Sequence, residues 1–330
     1  MAVWRRLLEM LDSRGRAAMV TVAETRGSSP REPGARMIVN DDGTFTGTIG
    51  GGTLEWQAIA LAQAALANGN NAELRRFALG PELGQCCGGQ VALVIEVFNP
   101  IDRADIAHLA DLEERGGVTT HGRFVDRPNL ERTAIGDPLP PGAAALSEAG
   151  VIEGFGDTRR PIALFGAGHV GKALVLALAP LPFRVLWFDL RPDIFPSHVP
   201  PNATIGTFED PDACVAGLPG DSFVLVMTHS HQLDLALVHA ALVDHRLGYV
   251  GLIGSKSKRA RFEKRLTAAG IPRERIDALV CPIGVSGIAS KEPAVIAAAT
   301  AAQLIARDEA VRAMSGDTVS DPLGRVGSMS

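Results

Sequence analysis

Tyrosine is almost missing from this chain: Tyr249 is the single one, and aromatic residues fill only 5% of 330 positions. Basic residues are not in excess either, 32 Lys and Arg standing against 37 Asp and Glu for a net charge of −5. A nucleic-acid binder wants a basic face and stacking rings, so that class is set aside. Cysteine is scarce, with Cys86 and Cys87 adjacent and Cys214 and Cys281 alone. No CxxC pair offers a zinc site, and four cysteines in a chain this size make no disulfide framework, so reduced thiols are expected. No apolar run reaches the ~18 residues of a membrane helix. The Ala-rich stretches 58–67 and 294–306 are shorter and contain Gln63 and Gln303. A cytoplasmic protein with no membrane partner is expected.

What remains is an ordinary globular balance, 46% hydrophobic and 21% charged, in a chain long enough for two domains of about 100–200 residues. Residues 126–160 are rich in Pro, Gly and charge with little periodicity. They read as a linker between an N-terminal α+β domain (1–125) and a C-terminal domain (161–330). In the first domain Trp4, Leu7, Leu8 and Leu11 share one face of an opening helix, which reads as amphipathic and not as a signal peptide. AAMVTVAE follows as a strand, and ARMIVN and TFTGTIG flank the hairpin turn Asp41-Asp42-Gly43. A helix is expected from about Thr53 to Ala67. LRRFAL and QVALVIEVF then read as strands around the loop GPELGQCCGG.

The second domain alternates strand and helix. Strands are expected at 161–166, 184–189, 203–206, 222–228, 249–254 and 278–281, and a last helix from Pro293 to about Ala313. The fold class is α/β, a Rossmann-like, doubly wound parallel sheet, with the ligand crevice beyond the carboxyl ends of its strands.

Candidate residues follow from that rule. Gly166-Ala167-Gly168-His169-Val170-Gly171 joins the first strand to a helix, where glycines allow a tight turn and the helix N-terminus offers N–H groups to a phosphate. Asp189 ends the second strand, at the place of a ribose-binding acid. The fourth strand leads to Thr228-His229-Ser230-His231-Gln232-Leu233-Asp234. His229 and His231 could contact a cofactor, or bind metal with Asp234 as third ligand, or the loop could merely cap a helix. Gly254-Ser255-Lys256 opens a helix and suits an anion, while the following Lys258, Arg259, Arg261, Lys264 and Arg265 read better as a solvated basic face. Cys281–Gly287 is a further glycine loop at the same end. In the first domain Gly27–Arg31 is a polar turn, and Gly50–Thr53 opens a helix whose Glu55 weakens an anion-site reading. Cys86 and Cys87 lie in a glycine loop, as accessible thiolates or as small buried thiols.

The blocks GSSPREPGARM, IGGGTLEWQAI, LGPELGQCCGG, LFGAGHVGKAL, MTHSHQLDL, YVGLIGSKSKRARF and CPIGV...SKEPAVIAA together resemble, in order, the accessory factor family of xanthine dehydrogenase (XdhC/CoxI). Cys281 before PIG and the ending SKEPAVIAA look more like its xanthine dehydrogenase branch. The resemblance implies a chaperone, with no catalytic residues, that binds molybdenum cofactor as cargo. It would present the cofactor to a cysteine desulfurase for exchange of an oxo ligand for sulfur and deliver it to apo-xanthine dehydrogenase. A homo-oligomer, a dimer, is expected. The donor-rich loops and the glycine turn suit a pterin with a phosphate tail, and a thiol of Cys86 or Cys87 suits molybdenum. Those thiols are expected across the interdomain cleft from the glycine turn. Two other classes stay open: an NAD(P)-dependent oxidoreductase using Asp189 and His229 or His231, and a metal hydrolase using His229, His231 and Asp234.

Overall fold

The computed structural model describes residues 2–69, 71–80, 88–125, 130–136 and 139–316. The chain divides into two compact units, Met1–Thr158 and Arg159–Ser330.

The first unit opens with α1 (Val3–Arg14), whose Trp4, Leu7, Leu8 and Leu11 are all buried as their spacing predicts. Its leading amides are satisfied from far along the chain: Val3 N and Trp4 N donate to Glu113 in α3 (Arg103–Arg115). The strands β1 (Ala17–Arg26), β2 (Arg36–Val39), β3 (Phe45–Gly47), β4 (Ala72–Ala78) and β5 (Gln90–Phe98) form one antiparallel sheet in the order β3-β2-β1-β5-β4. The helix α2 (Gly52–Asn68) covers one face of it with Leu54, Ala58, Ile59, Ala62, Ala65 and Leu66.

The stretch 126–160 is not a linker. It holds β7 (Leu130–Ile135), β8 (Ala144–Leu146) and β9 (Gly150–Phe155), which pair with β6 (Val118–Phe124) in a second sheet ordered β7-β6-β9-β8. The physical reason lies in a buried ion cluster. Arg132 from β7 and Glu153 from β9 reach Glu96 of β5 and Arg36 of β2, with no side chain of the four more than 7% exposed. The Arg36 guanidinium lies 4.0 Å over the Phe155 ring, and Arg132 faces Trp4 and Phe155. Charges buried this far survive only when paired. The charged residues that suggested a loose segment are therefore what fastens it.

The second unit has a five-stranded parallel sheet: β10 (Arg160–Phe165), β11 (Phe183–Phe188), β12 (Ala203–Gly206), β13 (Phe223–Val226) and β14 (Tyr249–Leu252), ordered β12-β11-β10-β13-β14. The chain winds outward through β11 and β12, then returns to start again at β13, so the switch point lies between β10 and β13. The helices are α4 (His169–Leu178), α5 (Pro211–Ala216), α6 (His231–Val243), α7 (Lys256–Ala268), α8 (Arg273–Ala278) and α9 (Pro293–Gly316). The sixth strand expected at 278–281 is reduced to one bridge between Val280 and Gly251. Arg273–Ala278 is helical instead, and Pro282, having no N–H, ends any further pairing.

Candidate functional site

Four loops leave the carboxyl edge of the parallel sheet, and specific contacts tie them to one another. The first is the Gly166–Gly171 turn. Gly166 has φ +118° and a Cβ there would stand 2.3 Å from the Met227 carbonyl oxygen, so only glycine fits against the end of β13. A Cβ on Gly171 would meet the Gly166 carbonyl oxygen at 2.2 Å, which sets the close packing of α4 on the turn. Trp187 Nε1 donates to that same carbonyl at 3.1 Å. Gly168 is different: it caps α4 in extended conformation, and nothing lies within 4 Å of where its Cβ would be. Gly168 and His169 are exposed. The turn thus holds open space in front of the free amides of a helix N-terminus.

Asp189 sits behind the turn, and it is engaged. Its Oδ2 accepts from Ala167 N at 2.8 Å and Arg191 Nη2 at 3.1 Å, and its Oδ1 from Arg191 N at 3.1 Å and Nε at 2.9 Å. Burial would raise this carboxyl. The Arg191 guanidinium and the Ala167 and Arg191 amides outweigh it and hold the group below the usual carboxylate range.

The second loop, Thr228–Asp234, puts His229 and His231 in solvent. Asp234 is buried and turned away from them. Its Oδ1 accepts from Thr228 N at 3.0 Å and Thr228 Oγ1 at 2.7 Å, and its Oδ2 from Lys258 Nζ at 2.6 Å. Ser230 caps α6, accepting from Leu233 N. The third ligand of the supposed metal set is therefore committed elsewhere, and no cluster of three or more His, Cys, Asp or Glu able to hold a metal occurs among the described residues.

Lys258 is the residue that sequence reasoning misplaced. Assigned to a solvated basic face, it is 8% exposed, paired with Asp234, and donates a second bond to the Ile253 carbonyl at 2.9 Å. The signal was present: Lys258, Phe262 and Leu266 recur at four-residue spacing, and all three are buried. Arg259 also turns inward, to Glu263 and to the Ile276 and Leu279 carbonyls. Gly254, Ser255 and Lys256 are exposed at the start of α7, with Ser255 accepting from Lys258 N as its cap.

The fourth loop joins through Gly254, where a Cβ would lie 3.3 Å from Cys281 Sγ and 2.7 Å from Lys258 Cδ. Burial pushes the Cys281 thiol up, against the pull of Lys258 and Arg259, so it is a poor thiolate. Beyond it, Ile253, Pro282, Val285, Ile288, Lys291 and Ile296 help line a cavity of about 570 Å³. That is the size of a small-molecule pocket.

In the first unit Cys86 and Cys87 lie outside the described residues. Their neighbours are informative. A Cβ on Gly89 would stand 2.2 Å from the Ser28 carbonyl oxygen, and one on Gly50 2.7 Å from Pro30. The Gly27–Arg31, Gly50–Gly52 and Gly88–Gly89 segments therefore meet. At the start of α2, Glu55 Oε2 accepts from Thr48 Oγ1 at 2.6 Å, Ile49 N at 3.1 Å and Gly51 N at 3.3 Å. The chain's own carboxylate takes the place of an external anion there.

The profile of the XdhC and CoxI family matches residues 10–78, and that of the XdhC Rossmann domain matches residues 162–304. YqeB of Escherichia coli K12, an uncharacterized protein, is 26% identical over 298 residues. That alignment takes in 87% of this chain but 43% of the longer relative, so the chain spans under half of YqeB. The molybdenum cofactor insertion chaperone PaoD of the same organism is 25% identical across 86% of this chain and 81% of its own. A crystal structure described as a xanthine dehydrogenase from Bacillus halodurans superposes with TM-score 0.74 at 25% identity, covering 98% of each chain. Matched in chain order through both of its units, the protein belongs to the XdhC and CoxI family.

Proposed function

We propose that this protein is a chaperone for a molybdoenzyme, and that it holds molybdenum cofactor as cargo at the carboxyl edge of its parallel sheet. The observation that carries the reading is the Gly166–Gly171 turn, where close packing behind Gly166 and Gly171 coexists with open space at Gly168. A phosphate tail placed there would meet backbone amides and the positive end of α4. His169, His229, His231, Gly254, Ser255 and Lys256 are exposed around the same edge and would supply donors to a polar pterin rim. The role named for PaoD supports this cargo, and the name of the Bacillus halodurans protein supports xanthine dehydrogenase as the recipient.

In this reading a cysteine desulfurase exchanges one oxo ligand of the held cofactor for sulfur, and the chaperone then delivers it to apo-xanthine dehydrogenase. Cys86 or Cys87 would offer molybdenum a soft ligand meanwhile. Carrying asks for retention and release rather than bond-making. Asp234, Lys258 and Asp189 accordingly spend their polar atoms on organising loops.

Anaerobic purification from cells replete in cofactor, followed by metal analysis and fluorescence of the extracted pterin, tests the reading. About one molybdenum and one pterin per chain is the expected result. Bound dinucleotide or zinc in their place, or no pterin at all, would overturn it.

A further inference from the structure

The loop after β11 treats its acid unlike a dinucleotide site. In such sites the carboxylate ending the second strand receives ribose hydroxyl protons. A carboxylate has about four lone-pair positions to offer, and those of Asp189 are filled by Ala167 N and by three donors of Arg191. Arg191 is bound through its backbone amide as well as through the Nε–Nη2 edge of its guanidinium, and it precedes the short 3-10 turn Pro192–Ile194. A ribose arriving at this point would have to displace the bidentate, charge-assisted Arg191 side chain, itself 46% exposed, from a carboxylate that is 4% exposed.

The other half of the crevice is open. The cavity bounded by Ile253, Pro282, Ile288 and Lys291 lies at the β14 end. With strands about 4.8 Å apart, the ends of β14 and β10 are separated by roughly 10 Å. A compound with its phosphate on the Gly168 turn can therefore extend a compact head toward β13 and β14 without crossing β11.

We infer that Arg191 is a specificity-determining residue of this crevice: by saturating Asp189 it refuses a ribose on the β11 side, and the crevice takes phosphorylated compounds whose head lies on the β14 side. The inference rests on the reading of this edge as the site of a phosphorylated cargo. It goes further in excluding nicotinamide dinucleotides and any cargo that carries a nucleoside over β11.

Calorimetric titration of the full chain with NADH, NADPH, AMP and 2′-deoxy-AMP tests it. No molybdenum enters these titrations, so the pterin analysis above can fail or succeed separately. The parent protein is expected to show no saturable binding of any of the four at concentrations up to about 1 mM, a contribution of less than about 4 kcal/mol. Arg191→Ala frees two lone pairs of Asp189, and AMP and NADH should gain at least about tenfold, the scale of one hydrogen bond to a charged acceptor. The 2′-deoxy analogue, left with one ribose hydroxyl to donate, should gain less than AMP. Arg191→Gln, which keeps the backbone bond and cannot fork onto both oxygens, should behave alike and serves if the alanine variant melts early. Micromolar binding of NADH by the parent would overturn the inference. So would binding of NADPH alone, since Arg191 would then be reading a 2′-phosphate, and so would a folded variant that gains nothing.

Discussion

Both units of this protein bury charge, and they do so to different ends. In the first, Arg36, Glu96, Arg132 and Glu153 pair across two sheets, roofed by Trp4 and Phe155. In the second, Asp234 and Lys258 pair beneath two loops that open to solvent. The first cluster joins elements of regular structure. The second fixes the ends of β13 and β14, so that Thr228 on one side and Ile253 on the other are held by one ion pair. Burial alone does not distinguish a structural cluster from a functional one. What a cluster holds in place does.

The largest expected effect breaks the first cluster. Glu153→Gln leaves Arg36 and Arg132 with one carboxylate between them, and loss of one partner from such a cluster costs about 3–5 kcal/mol. Urea denaturation should show that drop. A change below about 1 kcal/mol would mean that solvent reaches the arginines. Lys258→Met is the counterpart in the second unit, with about 3 kcal/mol expected. Here hydrogen exchange should accelerate at the amides of Thr228 and Lys258, whose acceptors are Asp234 and Ser255. Adding Asp234→Asn should recover stability without recovering pterin retention. Recovery of both would make this pair as purely structural as the first.

Smaller in stability but not in function is Gly168→Val. With open space at its Cβ position it should melt within a few degrees of the parent and lose retained pterin, read by fluorescence. Gly166→Ala should instead lose stability, since its Cβ meets Met227. If the valine variant keeps its cargo, the phosphate lies elsewhere. Cys86→Ser should likewise weaken retention at nearly unchanged thermal stability.

The smallest effect is one of order. Burial raises the Glu96 carboxyl beyond what Arg132 restores, whereas at Glu153 burial is outweighed by Arg132 and Arg36 and the group is lowered. Glu153 thus contributes stability above the ordinary glutamate value of about 4.3, lost as pH falls through its lower folded value. Glu96 works in the opposite sense, contributing stability below that ordinary value, lost as pH rises through its raised one. Carboxyl NMR on acidification should show Glu96 protonating first and Glu153 last. The reverse order would place the stronger pairing at Glu96.

Much of this was legible in the residues. The alternation of apolar strands with helices announced the parallel sheet, and the glycine turn stood where the strand order requires it. The second sheet of the first unit was hidden because β7 reads LERTAI, a half-exposed strand whose charges mimic a loop, and β8 has three residues. Alternation in β9 was nonetheless available: Val151, Glu153 and Phe155 share one face, and all are buried. Asp189 and Asp234 were found as positions, but their hydrogen-bond partners were not. A carboxylate's partners come from residues such as Arg191 and Lys258, whose approach is set by tertiary structure rather than by spacing along the chain.

The bond from Trp187 to the Gly166 carbonyl has an optical consequence. The chain has three tryptophans: Trp4 and Trp187 are at most 1% exposed, while Trp56 is 74% exposed. An indole buried in apolar surroundings emits to the blue of one in water, so Trp56 can be quenched selectively by iodide and its red emission subtracted. Of the two blue emitters, only Trp187 is hydrogen-bonded to the glycine turn. In a Trp4→Phe background, the residual blue band becomes an intrinsic gauge of what happens at that turn. Any ligand that reaches the turn could then be followed in real time by light alone, without a label.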